Sequence, residues 1–179
     1  MSSRPDSAFM FPRFSKFALT IGVLLAVPSL VQCDSMPKDA QLVELFRSRR
    51  DAFERLAVMG MEDSGIVSHV SVEALKKEPL TDGRQDLSPA RRSEYVRLLS
   101  SIRTDLSMGS DAYGICFSYW GGGIGLSVGR SWEKGIAYLP HGYERVGTPV
   151  TSLDKVPTQD GMYVVPIEPK WYIYYSQLD

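Results

Sequence analysis

Cysteine and histidine are scarce in this sequence, with two of each among 179 residues. Structural zinc sites are recognised by paired cysteines and many catalytic ones by an H-E-x-x-H motif, and neither pattern occurs here. The acidic residues also lack the spacing of a calcium-binding EF-hand loop. We therefore expect no metal ion and no cofactor. At this length and with 44% hydrophobic residues, one domain can bury a sizeable core without disulfide bonds or metal ions to stabilise it.

An excess of basic residues is also missing, because the formal net charge is -1. Removing residues 1–33 takes away three basic residues and one acidic residue, so the remaining chain is slightly more acidic. Basic residues come no more than two in a row, among acidic neighbours: Arg49-Arg50, Lys76-Lys77 and Arg91-Arg92. Proteins that bind nucleic acid carry a basic patch or stripe. We therefore expect no nucleic-acid partner and interpret these pairs as solvated faces.

Long apolar runs are limited to the N-terminus. Arg4, Arg13 and Lys16 precede an uncharged stretch, Phe17–Val31. This is the pattern of a secretory signal peptide, and the run is shorter than the roughly 20 residues of a transmembrane helix. Pro28 disfavours a helix and suits the extended chain that a signal peptidase binds. The pattern predicts an exported, bacterial-type protein.

The end of the apolar stretch, Leu30-Val31-Gln32-Cys33, resembles the lipobox of bacterial lipoproteins. In that family the cysteine thiol receives a diacylglycerol group, and cleavage makes the acylated cysteine the new N-terminus. Leu30 and Cys33 match the motif, whereas Gln32 departs from it because a small residue is usual there. The alternatives are ordinary cleavage nearby, which gives a soluble periplasmic product, and an uncleaved apolar anchor.

The lipobox resemblance implies a domain organisation. Residues 1–33 are the signal peptide, 34–38 a tether and 39–179 a single domain facing the periplasm. The membrane is then a partner through palmitate-type acyl chains at Cys33. An acylated Cys33 leaves Cys116 without a cysteine partner, and Cys116 lies in an apolar run where a cysteine behaves as a small hydrophobe. A disulfide between them requires that Cys33 is not acylated.

Helical periodicity occurs in the first half of the mature chain. One helix is predicted from Asp39, as N-cap, to Gly60, as terminator, with an apolar stripe of Leu42, Leu45, Phe46, Phe53, Leu56 and Met59. A second is predicted from Ser88 to about Arg103, because Ser88 can cap a helix that begins with Pro89. Its stripe is Tyr95, Leu98, Leu99 and Ile102.

Beyond Gly109 the apolar period becomes two. Strands are predicted at Tyr113–Tyr119, Ile124–Val128, Ile136–Leu139, Tyr163–Ile167 and Trp171–Tyr175. A further short strand is predicted within Ser64–Val72. Helices followed by strands indicate the α+β class. We predict two main N-terminal helices packed on one face of a C-terminal antiparallel sheet of about five strands, built from the chain after residue 112.

One motif suggests catalysis. Gly125-Leu126-Ser127-Val128-Gly129 matches G-x-S-x-G, the nucleophile elbow of α/β-hydrolases. That elbow needs a helix directly after the serine, and residues 130–139 lack a helical period. The acid should also precede the histidine, yet His141 comes before Asp154 and Asp160. We therefore predict Ser127 within or at the end of a strand.

Other candidate sites are weaker. The glycines at 121–123 lack the Lys-Ser/Thr pair of a phosphate loop and predict a hairpin. A thiol–imidazole pair of Cys116 and His141 lacks the local signatures of a nucleophilic cysteine. A carboxylate pair for glycoside hydrolysis has no fixed spacing and stays open. We predict no enzyme, with a secreted hydrolase using Ser127 or Cys116 as the alternative.

Aromatic residues enrich the C-terminal half, including Tyr138, Tyr163, Trp171, Tyr172 and Tyr174. If they cluster on the surface, they form a site for a peptide or glycan. We favour one row in the core and the other beneath a loop or helix, because strands alternate their faces.

A set of loose motifs covers nearly all of the mature chain: Ala40-Gln41-Leu42, Phe46-Arg47, Phe53-Glu54-Arg55-Leu56, Glu62-Asp63, Ser88-Pro89, Glu94-Tyr95, Gly125-Leu126-Ser127, Lys134-Gly135-Ile136-Ala137-Tyr138 and Trp171-Tyr172-Ile173-Tyr174-Tyr175. Together they resemble a group of small bacterial lipoproteins and exported proteins to which no activity is assigned. The resemblance implies a location in the cell envelope. We expect a binding or scaffolding domain for an envelope protein or ligand, with a periplasmic immunity-type inhibitor as a further alternative.

Overall fold

The computed structural model describes residues 35–77, 86–103, 105–110, 112–122 and 131–178. These ranges form an α+β domain, which confirms the predicted class. The described helices are α1 (Asp39–Ser48), α2 (Arg50–Glu62), α3 (Val72–Lys76) and α4 (Pro89–Ile102). The described strands are β1 (His69–Ser71), β2 (Ser107–Ser110), β3 (Ile115–Gly122), β4 (Ser131–Tyr138), β5 (Thr148–Pro149), β6 (Gly161–Glu168) and β7 (Trp171–Leu178).

The strands form one sheet in the order β1-β2-β3-β4-β7-β6-β5. Every neighbouring pair is antiparallel except β5 and β6, which are parallel. Five described strands follow residue 112, as predicted, but the sheet also includes β1 and β2 from before that residue, and the β5–β6 pair is parallel where an antiparallel sheet is predicted. Strand β1 lies within Ser64–Val72, where a short strand is predicted, whereas β2 and β5, with four and two residues, are too short for alternation to reveal them. The predicted strand Ile124–Val128, with Ser127, lies outside the described residues.

The single helix predicted from residue 39 to residue 60 is two helices that meet at Arg49. Arg49 has φ −126° and ψ 21°, and its amide donates to the carbonyls of Leu45 and Phe46. The break redirects the chain, because α1 contacts β4 and β7 whereas α2 contacts β3. The apolar stripe continues across the break, so its period gave no sign of the turn.

Helix α4 begins as the sequence predicts. The Ser88 hydroxyl accepts from the Arg91 amide at 3.2 Å, and Pro89 occupies the first turn. The helix packs mainly against α2 and α3, so it adds an outer layer where the sequence predicts direct packing on the sheet. Arg91 joins it to the end of α2 through Asp63 at 2.7 Å and Glu62 at 2.6 Å.

The main core lies between the helices and one face of the sheet. Its centre is an aromatic group in which Phe46 and Trp171 have ring centroids 4.9 Å apart, and Phe53 and Phe117 meet edge to face at 5.0 Å. Such pairs contribute about 0.5–1.5 kcal/mol each beyond the burial of their area. Alternate residues of β3, β4 and β7 supply this face.

A smaller core covers part of the opposite face. It contains Ala137, Leu139, Val164, Tyr172 and Tyr174. The ring of Tyr143, from the segment after β4, packs edge to face against the Tyr172 ring, with the ring centroids 5.7 Å apart. The C-terminal aromatics therefore divide between the two faces of the sheet, as the sequence predicts, with Trp171 in the main core and Tyr172 beneath a loop. Within the described ranges, no helix combines the length and apolar character needed to cross a membrane.

Candidate functional site

A cavity of 530 Å³ lies at the end of the sheet where β3 and β7 finish and β4 begins, and its described lining comes from both faces of β3 and β4. The lining residues among those described are Arg103, Asp105, Ser107, Ser118, Tyr119, Trp120, Gly121, Ser131, Trp132, Glu133 and Ser176. We call this cavity the serine groove, after Ser107, Ser118, Ser131 and Ser176, which surround Glu133.

Strand register brings these side chains together. Ser107 of β2 pairs with Ser118 of β3, and Glu133 of β4 pairs with Ser176 of β7. Paired residues point to the same face of a sheet, and so do residues two apart in one strand. Ser131 therefore shares the face of Glu133. Gly121 of β3 pairs with Glu133 from the other side, and a Cβ atom there would lie only 2.9 Å from the Trp132 carbonyl oxygen.

A chain of hydrogen bonds orients Glu133. The Ser118 hydroxyl lies 2.6 Å from Glu133 Oε2 and 2.7 Å from the Tyr174 hydroxyl. An ionised carboxylate only accepts hydrogen bonds, so Ser118 donates to Glu133 and Tyr174 donates to Ser118. Tyr174 is fully buried, and burial, with the nearby Cys116 and Glu133, raises its pKa well above the ordinary value. The phenol therefore stays protonated, and the direction of the chain is fixed.

Gly135 makes this chain possible. It stands between Ser118 and Tyr174 in the register of the three central strands. A Cβ atom at residue 135 would lie 1.9 Å from the Phe117 carbonyl oxygen and 3.0 Å from the Tyr174 ring. Because glycine has no side chain, the Tyr174 ring crosses over β4 and reaches Ser118 on the next strand but one.

Arg103 and Asp105 line the groove beside β2. The Arg103 guanidinium donates to Asp105 at 2.6 Å and lies 5.3 Å from the centre of the Tyr119 ring. Burial raises the pKa of Tyr119, and its buried hydroxyl has no hydrogen-bond partner among the described residues. Two indole rings, Trp120 and Trp132, have centroids 6.3 Å apart. The groove thus combines hydroxyls, one oriented carboxylate, an ion pair and aromatic surface.

A second charged cluster is sealed inside the domain. Lys134 is fully buried, and its ammonium group lies 2.7 Å from Asp39, 2.8 Å from the Pro37 carbonyl and 2.7 Å from the Leu153 carbonyl. Burial alone would raise the pKa of Asp39, but hydrogen bonds from Lys134 and from the Leu153 amide outweigh it and lower that pKa. With its donors occupied, Lys134 is structural.

Asp39 is therefore not the N-cap that the sequence predicts. Lys38 occupies the cap position, and its amide donates to the Gln41 side chain at 2.8 Å. The Asp39 carboxylate turns away from the helix because Lys134 and the Leu153 amide compete for it. The Asp39 amide instead donates to Asp154 at 2.7 Å.

The candidates predicted from motifs lie elsewhere. Cys33 and Ser127 fall outside the described residues. Cys116 is half-buried in β3, opposite Ala137, and packs against the smaller core. His141 is exposed in the turn after β4, and His69 is exposed on β1. In the described part of the chain, no group of three or more His, Cys, Asp or Glu side chains is placed to hold a metal ion.

The sequence did not identify Ser118, Glu133, Tyr174 and Ser176 as one site. Alternation at residues 113–119 places Ser118 opposite the apolar row, and this was the available signal. Their proximity depends on the register of β3, β4 and β7, which are separated along the chain. Comparison with protein families, curated proteins and solved structures finds no match for the chain.

Proposed function

We propose that this chain is a bacterial envelope lipoprotein, anchored through Cys33, whose periplasm-facing domain binds a small polar ligand in the serine groove. The anchor is supported by the basic leader, the apolar run and the lipobox resemblance at Leu30–Cys33. Binding is supported by one observation above all, the oriented Glu133 carboxylate in a groove of ligand size.

The size and lining of the groove suit a small molecule. Ligand pockets span roughly 300–1,000 Å³ and hold a few placed polar groups, and this cavity measures 530 Å³. Serine and glycine are poor strand formers compared with β-branched and aromatic residues, yet Ser118, Gly121 and Ser176 stand in the central strands. These small residues keep the groove open.

A ligand screen tests the binding function. Isotope-labelled mature protein is screened against polar small molecules by NMR, and we expect shifts clustered at Ser118, Glu133 and Ser176. Ser176→Trp fills the groove and should remove those shifts. Ser100→Trp, on the exposed side of α4, is the matched control and should keep them. Hits that bind both variants equally would show that the groove is not the site.

Lipidation is tested separately. Cys33→Ala should abolish fatty-acid labelling and leave the leader uncleaved at this position. An unmodified N-terminus in the soluble fraction of the wild type would contradict the anchor and leave the binding domain intact. If a screened ligand is instead hydrolysed, and Ser127→Ala or Cys116→Ala abolishes that activity in a folded protein, the hydrolase alternative replaces the binding function.

A further inference from the structure

We propose that the serine groove selects a ligand carrying a protonated amine, with Glu133 as its counter-charge. This inference rests on the proposed function of the groove as a binding site. It adds the chemical class of the ligand and names the residue that sets it.

The charges along the groove favour a cation. Three of the described lining side chains are charged, and two of them, Arg103 and Asp105, neutralise each other at 2.6 Å. Among the described residues no basic group pairs with Glu133. Within the described residues, the groove therefore carries one carboxylate without a counter-ion, and an anionic ligand would meet repulsion there.

The hydrogen-bond pattern also requires a donor from the ligand. Ser118 occupies Oε2 of Glu133, and Oε1 accepts no hydrogen bond from the described residues. Because Tyr174 and Ser118 both donate towards Glu133, neither the phenol nor this serine has a proton left to offer. An ammonium group supplies several donors and a full charge, and its bond to a carboxylate is stronger than that of a neutral hydroxyl. A carboxylate beside several hydroxyls matches a small amine better than an acid or an uncharged sugar.

The test uses four probes of similar size: butylamine, glucosamine, glucose and butyrate. Each is titrated into the mature protein at pH 7 and followed by NMR at groove resonances. We expect butylamine and glucosamine to bind, with affinity falling as salt rises, while glucose and butyrate do not. Glu133→Gln should weaken amine binding by about tenfold or more, because a charge-assisted hydrogen bond is lost.

Two further variants keep the test decisive. Glu133→Asp retains the charge and should retain part of the affinity, and it serves if Glu133→Gln does not fold. Glu73→Gln changes an exposed carboxylate on α3 and should leave binding unchanged. If glucose binds as tightly as glucosamine, the amine inference is wrong while the groove remains a binding site. Failure of both amines to perturb the groove also overturns it, whatever the wider screen finds.

Discussion

Glu133 and Lys134 are neighbours in β4 and point to opposite faces of the sheet. Lys134 lies on the helix side, fully buried, and three oxygen-bearing partners surround its ammonium group. Glu133 lies on the groove side, where one serine orients it and one carboxylate oxygen has no partner in the described part of the chain. The two residues therefore differ in their partners. Lys134 has its partners within the fold, whereas Glu133 has a carboxylate oxygen that a ligand can bind.

The surroundings differ in the same way. The helix side packs aromatic rings closely, with Phe46, Phe53, Phe117 and Trp171 in mutual contact. The groove side uses serines and glycine and leaves a cavity of 530 Å³. Substitutions on the two faces should therefore separate into those that cost stability and those that cost binding.

The largest effect is expected from Lys134→Met. Methionine retains much of the buried length but leaves Asp39 and two carbonyls without their donor. Breaking a buried ion pair in this way destabilises a protein by about 3–5 kcal/mol. Urea unfolding at pH 7 measures the change. A loss below about 1 kcal/mol, the range of exposed pairs, would contradict the structural role.

A smaller loss is expected from Asp39→Asn, because asparagine still accepts from the Leu153 amide. Since the pKa of Asp39 is lowered in the fold, its contribution is present above the unfolded pKa of about 3.9 and is lost as pH falls through the folded value. The stability difference between variant and wild type, measured from unfolding curves, should therefore stay constant from pH 7 to about pH 4 and shrink only as the pH falls further. A difference that does not shrink below about pH 4 would show that the charge of Asp39 is not responsible.

Tyr174→Phe should cost about 1 kcal/mol, the net value of one hydrogen bond, because Ser118 keeps Glu133 as its partner. The same change frees the Glu133 carboxylate to rotate with Ser118, so ligand affinity should fall as well. Thermal unfolding and NMR titration measure the two effects. Unchanged affinity would show that the hydrogen-bond chain does not position Glu133.

The smallest effect on stability is expected from Glu133→Gln. The amide can still accept from Ser118, and no ion pair of the described residues is broken. We expect a change within about 0.5 kcal/mol in urea unfolding. A loss as large as that of Lys134→Met would make Glu133 a folding residue and remove the contrast between the two faces.

Local signals in the sequence predicted the fold class and the position of α4. Ser88-Pro89 predicts the start of α4, and the alternation of apolar residues predicts β3 and β7. These patterns are readable because they involve only residues that are close together in the sequence. The break at Arg49 could not be predicted, since the apolar stripe of α1 continues into α2. Strand register joins residues as far apart as Ser118 and Tyr174, and no local pattern encodes it. The groove is a product of that register, so the sequence alone could not identify it.

The contact of Lys134 with Pro37 determines where a force on the proposed lipid anchor would reach the domain. Met36 packs against the core, and the Pro37 carbonyl oxygen lies 2.8 Å from the Lys134 ammonium group, so the domain starts almost where the proposed anchor ends. The four Cα–Cα steps from Cys33 to Pro37 extend at most about 14 Å, so the connection between anchor and domain is short. A force on that connection would act on β4, which lies in the middle of the sheet and is hydrogen-bonded to β3 on one side and β7 on the other. The load would then be shared by three strands, and no edge strand would be peeled away first.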